Sequence, residues 1–271
     1  MNKTKIEYLT HSWNPIAMRC TSMSAGCANC WHLAMANRLA GNQEFPPEVR
    51  DAYAGECPPV LIKYRLGEPL RCRQPAVVGV QFMGDLFHRK VPDSYVRSVL
   101  GIIIDCSQHK FLILTKRPDE ALNFLRLNPQ LGGRFPDNAW IGVSVENQAT
   151  ADERIPLLLQ IPAAVRFVSC EPLLQKIDLT LLEQSSGDQI DALYGWRKAG
   201  TMERVYGLDW VICGGESGPG ARPMHPDWVR GLRDQCQAAG VAFFYKQAII
   251  NGKKVSCPEL DGQQWREMPN V

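Results

Sequence analysis

Short apolar runs alternate repeatedly with longer helical stretches along this sequence. Alternation of this kind is typical of parallel β/α units, because the connection between two parallel strands usually contains a helix. The sequence therefore predicts an α/β protein whose parallel strands, about six to seven of them, form a partial or closed β/α barrel. The expected strands begin at His11, Val77, Phe111, Trp140, Val165, Leu208 and Val241.

Length and composition favour one domain over residues 1–271, interrupted by irregular insertions at 42–76 and 175–207 and followed by a polar tail at 251–271. The net charge of +2 gives no global nucleic-acid signature, although a local basic groove is compatible with it. We find no apolar run of the roughly 20 residues that a membrane helix needs, and no signal peptide. A cytoplasmic protein with reduced thiols is the expectation.

Polar side chains follow several of the predicted strands, at the point where each strand ends. In barrels of parallel strands, the functional residues collect at these carboxyl ends. The sequence therefore predicts a site at this end of the sheet. The residues that recur in this position are Asp85, Lys116, Ser144, Glu146, Glu171, Glu216 and Lys246.

Three cysteines, Cys20, Cys27 and Cys30, lie within one Gly/Ser-containing loop before a predicted helix. A structural zinc site usually has a second pair of ligands, and zinc here would need a distant fourth ligand such as His11, His32 or Cys57. Three cysteines without an obvious fourth ligand suit a 4Fe-4S cluster with one open iron. We therefore expect a metal or cluster site, with iron–sulfur favoured over zinc.

This loop resembles that of the radical S-adenosylmethionine superfamily, in which a cluster-binding loop follows the first strand of a partial β/α barrel. The usual spacing there is C-x3-C-x2-C, whereas this chain has C-x6-C-x2-C. A closer resemblance is to an uncharacterised family of three-Cys-motif proteins, frequent in phages and bacteria. It extends over nearly the whole chain and includes Trp13-Asn-Pro15, Gly26-Cys-Ala-Asn-Cys30, Asp85-Leu-Phe-His88, Leu114-Thr-Lys-Arg-Pro118, Gly142-Val-Ser-Val-Glu-Asn147, Ser169-Cys-Glu-Pro172, the glycine-rich run from Gly214 to Pro223, and Phe244-Tyr-Lys-Gln247.

The resemblance implies an enzyme that uses a 4Fe-4S cluster and S-adenosylmethionine to generate a 5′-deoxyadenosyl radical. Cys20, Cys27 and Cys30 would bind three of the irons. Residues implied in cofactor binding are Gly84 and Asp85 for the methionine amine, Ser144, Glu146 and Asn147 for the ribose hydroxyls, and Gly214 and Gly215 for close approach of the cofactor. The candidate catalytic residues are Lys116, Glu171 and Glu216. An electron donor of the reductase or flavodoxin type is the implied partner.

Two other functions fit the same residues. One is a zinc-stabilised module that binds nucleic acid through Lys63, Arg65, Arg71 and Arg73, in which case a nucleic acid or nucleotide is the partner. The other is a metal-independent barrel hydrolase that uses Glu146, Glu171 and Glu216. The substrate and the oligomeric state stay open.

Overall fold

The structure, a computed structural model, describes residues 1–184, 186–199, 201–218 and 220–270. The chain divides into two compact units, residues 1–140 and 141–271. Each unit contains a sheet of mostly parallel strands connected by helices. The α/β class and the parallel pairing predicted from the alternation are thus confirmed.

In the first unit, the strand Val77–Val80 lies between His11–Trp13 and Lys110–Thr115 and is parallel to both. A short strand, Asn2–Lys3, adds to the outer edge in the antiparallel direction. Another antiparallel pair, Ile16–Ala17 with Val60–Leu61, follows the first parallel strand. The parallel strands place the chain segments after Val80 and Thr115 at the same end of this sheet.

The two helices that follow the parallel strands of the first unit have sequence patterns typical of helices. In the helix Asp93–Asp105, the residues at helical spacing from Val96 to Ile103 are buried. The helix Pro118–Leu127 starts with proline, whose missing N–H is not needed there, and has two acidic residues in its first turn. The remaining helices are Trp31–Ala40, Pro47–Ala54 and Lys63–Leu66, and the 3-10 turns are Ala25–Cys27, Pro69–Arg71 and Pro129–Leu131.

The segment 42–76, expected to be irregular, therefore contains two helices. Pro47 occupies the first position of the helix Pro47–Ala54, where proline starts a helix and does not break it. This helix packs on the helix Trp31–Ala40 around a core that includes Tyr53 and Ile62. The core supports the segment just after the cysteine loop.

In the second unit, the strands Ala139–Ser144 (from Ile141 onward), Arg166–Cys170, Trp210–Gly214 and Ala242–Ile250 are parallel neighbours in that order. An antiparallel strand, Lys253–Ser256, completes the edge. The connecting helices are Gln148–Leu158 and Pro226–Ala239. All seven predicted strands are present, each starting within two residues of its expected position.

The segment 175–207, also expected to be irregular, contains a four-stranded antiparallel sheet among its described residues. Its strands are Leu182–Glu183, Gln189–Asp191, Trp196–Ala199 and Thr201–Arg204. These strands were missed because strands of two to four residues are too short to show an apolar alternation. In the tail, Glu259–Leu260 pairs with Gln263–Gln264. Ser185, inside the predicted insertion, and Pro219, inside the glycine-rich run, lie outside the described residues.

Candidate functional site

The cysteine loop connects the strand Ile16–Ala17 to the helix Trp31–Ala40. Cys27 ends a 3-10 turn, and Cys30 is the N-cap residue of the helix. All three cysteines of the loop are free thiols and partly exposed. A helix N-terminus favours a thiolate, because its unpaired N–H groups point toward added negative charge.

The thiols of the loop differ in their electrostatic environment. Burial and the negative charge of Asp85 raise the pKa of Cys20 to about 11, although Arg117 acts in the opposite direction. Burial also acts to raise the pKa of Cys27, but hydrogen bonds from the backbone of Met23 and the charge of Lys116 outweigh it, and the pKa of Cys27 is lowered. Cys27 is therefore the more readily ionised of the two.

Asp85 follows the strand Val77–Val80, and its carboxylate connects neighbouring chain segments at this end of the first unit. Its carboxylate accepts hydrogen bonds from Thr115 Oγ1 at 2.8 Å and from the backbone N–H of Phe87 at 3.0 Å and of Lys116 at 3.1 Å. A salt bridge from Arg117 Nη1 at 2.9 Å completes the set. These donors come from two neighbouring strand ends, so Asp85 fastens one strand end to the other.

Arg117 connects Asp85 to the cysteine loop. Its Nη2 donates to Thr21 Oγ1 at 3.0 Å and to the Thr21 carbonyl at 3.4 Å, and its Nη1 lies 4.0 Å from Cys20 Sγ. Both side chains of the Asp85–Arg117 pair are buried. Planar guanidinium groups suit this bridging role, because their N–H donors point in fixed directions.

His88 and Lys116 hold the loop from the same side. His88 Nδ1 accepts the backbone N–H of Lys90 at 3.1 Å, so Nε2 carries the proton and donates to Thr21 Oγ1 at 2.9 Å. Lys116 Nζ donates to Ser24 Oγ at 3.1 Å. The structure thus brings Asp85, Lys116 and Cys20 together, three residues that the sequence predicted for the site.

Sequence reasoning missed some residues of this site. Thr21 gave no signal, because its partners are separated from it by 67 and 96 positions. Gln81 is fully buried, and its side chain bonds both backbone groups of Ile16, at 3.0 Å and 2.7 Å. A polar residue directly after an apolar strand was the available signal for Gln81.

Gly84, a predicted cofactor-binding residue, has a φ of 137°. An added Cβ there would lie 2.7 Å from Met18 Sδ, so a larger residue does not fit.

His32 is the histidine nearest the cysteines in sequence and was considered as a zinc ligand. Its side chain is buried, and its Nε2 accepts the backbone N–H of Cys20 at 3.3 Å. Burial and the charge of Arg19 lower the pKa of His32 to about 4. His32 therefore supports the loop through a backbone hydrogen bond in this arrangement.

In the second unit, the predicted ribose-binding residues lie at the end of the strand Ala139–Ser144 and directly after it. Glu146 is buried and pairs with Arg154, whose Nη1 is 3.3 Å from Glu146 Oε2 and 2.6 Å from the Ser144 carbonyl. The Asn147 side chain accepts the N–H of Thr150 at 2.9 Å and caps the next helix. Glu146 and Asn147 thus have structural partners, and their cofactor role stays a prediction.

Two further ion pairs occupy strand ends of this unit. Lys246 Nζ donates to Glu171 Oε2 at 2.5 Å, and a Cβ on Gly214 would lie 3.3 Å from the Glu171 side chain. Arg222 binds both carboxylate oxygens of Glu216, with Nε at 2.9 Å from Oε2.

Gly215 is fixed in the same unit by Gln247, whose carbonyl accepts the Gly215 N–H at 2.9 Å and whose side-chain amide donates to the Gly215 carbonyl at 2.8 Å. Glu171 and Gly214, two of the predicted site residues, also lie close together in this unit. The catalytic and cofactor roles predicted for the residues of both units stay predictions.

Within the described residues, no group of three or more His, Cys, Asp or Glu side chains is placed to hold a metal ion. Of the other cysteines, those at 106, 170, 213, 236 and 257 are buried, and those at 57 and 72 are partly exposed. None of the helices among the described residues has the length and apolar character needed to cross a membrane.

The fold and the site define an α/β protein of parallel strands with charged side chains paired at the carboxyl ends of those strands. Over residues 3–269 the chain matches the family described as "Protein of unknown function (DUF5131)", and it belongs to that family. Neither the curated proteins nor the solved structures contain a significant match. Because the family description names no activity, the resemblance to radical S-adenosylmethionine proteins and to the three-Cys-motif proteins stays a prediction.

Proposed function

We propose that this protein is an iron–sulfur enzyme of the radical S-adenosylmethionine type. One observation carries the proposal: three free cysteines lie in one loop, and that loop is fastened to the carboxyl ends of two parallel strands by Arg117 and His88. In β/α folds this end of the sheet is where ligands bind. A cofactor held by the loop would therefore sit beside the polar strand ends.

The donor set fits a 4Fe-4S cluster in its chemistry. Cys20, Cys27 and Cys30 are unpaired thiols, and two cations, Lys116 and Arg117, face the loop. Thiolates are the ligands that such clusters require, and nearby cations offset their negative charge. Since no three such side chains among the described residues are placed to hold a metal ion, cluster binding would bring the thiols of Cys27 and Cys30 toward that of Cys20. When bound, the cluster supplies low-potential single electrons, the chemistry that opens the sulfonium bond of S-adenosylmethionine.

The chain's own groups would then orient the ligands. Asp85 keeps two strand ends together, and Gly84 lets the backbone pass close to Met18. Lys116 holds Ser24, whose Oγ lies 3.9 Å from Cys27 Sγ. These contacts support a role for the segment after Val80 in holding the cofactor.

In the second unit, Glu171 and Glu216 are paired with cations at strand ends, and their predicted catalytic roles belong to the same proposal. Lys246 and Glu171 are largely buried and are paired at a strand end. A ligand with a negative and a positive group would bind Lys246 through the first and Glu171 through the second. Closure of the parallel strands into a partial barrel, implied by the family resemblance, belongs to the same proposal.

The test is anaerobic reconstitution of the full chain with iron and sulfide. The wild type should bind roughly four irons and turn brown, as a 4Fe-4S cluster requires. It should release 5′-deoxyadenosine from S-adenosylmethionine under a strong reductant. The triple variant Cys20→Ala, Cys27→Ala, Cys30→Ala should lose iron, colour and product.

The matched control is the double variant Cys57→Ala, Cys72→Ala, which removes two other partly exposed loop thiols. The control should bind iron, turn brown and release 5′-deoxyadenosine as the wild type does. A colourless wild-type protein that retains one zinc after anaerobic isolation would overturn the proposal in favour of a zinc-stabilised binding module.

A further inference from the structure

Arg117 occupies an unusual position for an arginine at the end of a strand. Its side chain is 6% exposed, although arginine is ordinarily among the residues least often buried. Two of its guanidinium nitrogens bind different partners. Nη1 reaches Asp85 at 2.9 Å, and Nη2 reaches Thr21 Oγ1 at 3.0 Å.

This arrangement ties the residue after the first cysteine of the loop to a rigid part of the sheet. Asp85 is fixed by the hydroxyl of Thr115 and by two backbone N–H groups, so it holds the guanidinium in one orientation. Thr21 in turn receives a second hydrogen bond, from His88. The position of Cys20 is therefore set by contacts from the strand ends and not by the loop alone.

The same guanidinium also places a positive charge beside a sulfur. Arg117 Nη1 lies 4.0 Å from Cys20 Sγ, in a region where burial reduces screening by water. A cation at this distance stabilises negative charge on the sulfur and on any group attached to it.

We infer that Arg117 is a positioning residue that holds Cys20 in place for the cluster and makes the bound cluster easier to reduce. The inference rests on the proposed function, because it concerns a cluster bound by the loop. Reduction adds negative charge to the cluster, so a neighbouring cation favours the reduced form and raises the midpoint potential.

Two substitutions separate the two roles. Arg117→Lys keeps the charge next to Asp85 but loses the planar fork that reaches Thr21. Arg117→Met removes both the charge and the hydrogen bonds. Arg134→Met is the matched control, because Arg134 is 55% exposed and pairs with exposed Asp137 in the same unit.

The experiment uses the reconstituted full chain. Loss of iron to a chelator is followed by absorbance, and the midpoint potential is measured by redox titration monitored by electron paramagnetic resonance. Arg117→Lys should lose iron about tenfold faster than the wild type, the factor that loss of one charge-assisted hydrogen bond corresponds to, with its potential unchanged. Arg117→Met should lose iron as fast and show a more negative potential.

The inference is overturned if Arg117→Lys and Arg117→Met both match the wild type and Arg134→Met in iron loss and potential. Should Arg117→Met fail to fold, Arg117→Lys decides the matter through its rate of iron loss, because it retains a cation beside Asp85. A wild type that binds no iron overturns the proposed function and this inference with it. A wild type that binds iron while the Arg117 variants are unaffected overturns the inference alone.

Discussion

Removal of the Asp85 carboxylate should cost this protein a large part of its stability. The carboxylate is 5% exposed on its side chain and accepts bonds from Arg117, Thr115 and two backbone N–H groups. Asp85→Ala leaves the buried Arg117 cation without a counterion and the other donors without an acceptor. Breaking a buried ion pair in this way costs about 3–5 kcal/mol.

The unfolding free energy from urea titration measures this cost. Domains have a total stability of about 5–15 kcal/mol, so the shift in midpoint should be evident even in a protein of average stability. Asp137→Ala is the control, since Asp137 is 81% exposed and pairs with Arg134 at the surface. Exposed pairs contribute about 0–1 kcal/mol, and the control should stay within that range.

A third variant refines the interpretation. Asp85→Asn keeps an oxygen acceptor of the same shape but removes the charge that balances Arg117. The unfolding free energy of Asp85→Asn should lie between that of the wild type and that of Asp85→Ala. The reasoning is refuted if Asp85→Ala unfolds within about 1 kcal/mol of the wild type with an unchanged urea slope.

Two further predictions concern protonation and packing. Burial and the charge of Arg117 lower the pKa of His88 below its usual 6.5, although the charge of Asp85 acts in the opposite direction. Just below pH 6.5, the unfolded chain therefore binds a proton at His88 that the folded chain does not bind. Wild-type stability should therefore fall relative to His88→Gln as the pH drops below 6.5 in urea titrations, and parallel pH profiles would contradict this. At Gly142 an added Cβ would lie 2.5 Å from the Phe167 ring, so Gly142→Ala should lose about 1–3 kcal/mol in thermal or urea unfolding. Gly101→Ala, in a helix with nothing within 4 Å, should gain up to about 1 kcal/mol, and equal effects of the two substitutions would argue against the packing explanation.

The elements of this fold were predictable because their signals are local. Pro118 with two acidic residues after it marks a helix start, and the apolar spacing from Val96 to Ile103 marks a buried helix face. The apolar runs and their helical connections likewise indicated parallel pairing, which the structure has. The helix Pro47–Ala54 was missed because prolines within a segment usually indicate irregular structure, whereas Pro47 stands at the first position of a helix, where proline is favoured.

The order of residues is enough to predict that three thiols share one loop and that charged residues follow the strands. Which of those residues contact one another depends on how the strands are paired in the fold. Arg117 contacts Asp85 across 32 positions and Thr21 across 96, because parallel strands bring distant segments to one end of a sheet. Periodicity records burial along a strand, but it contains no information on which strand lies beside it. For this reason the cysteine loop could be read from the sequence, whereas its attachment through Arg117 could not.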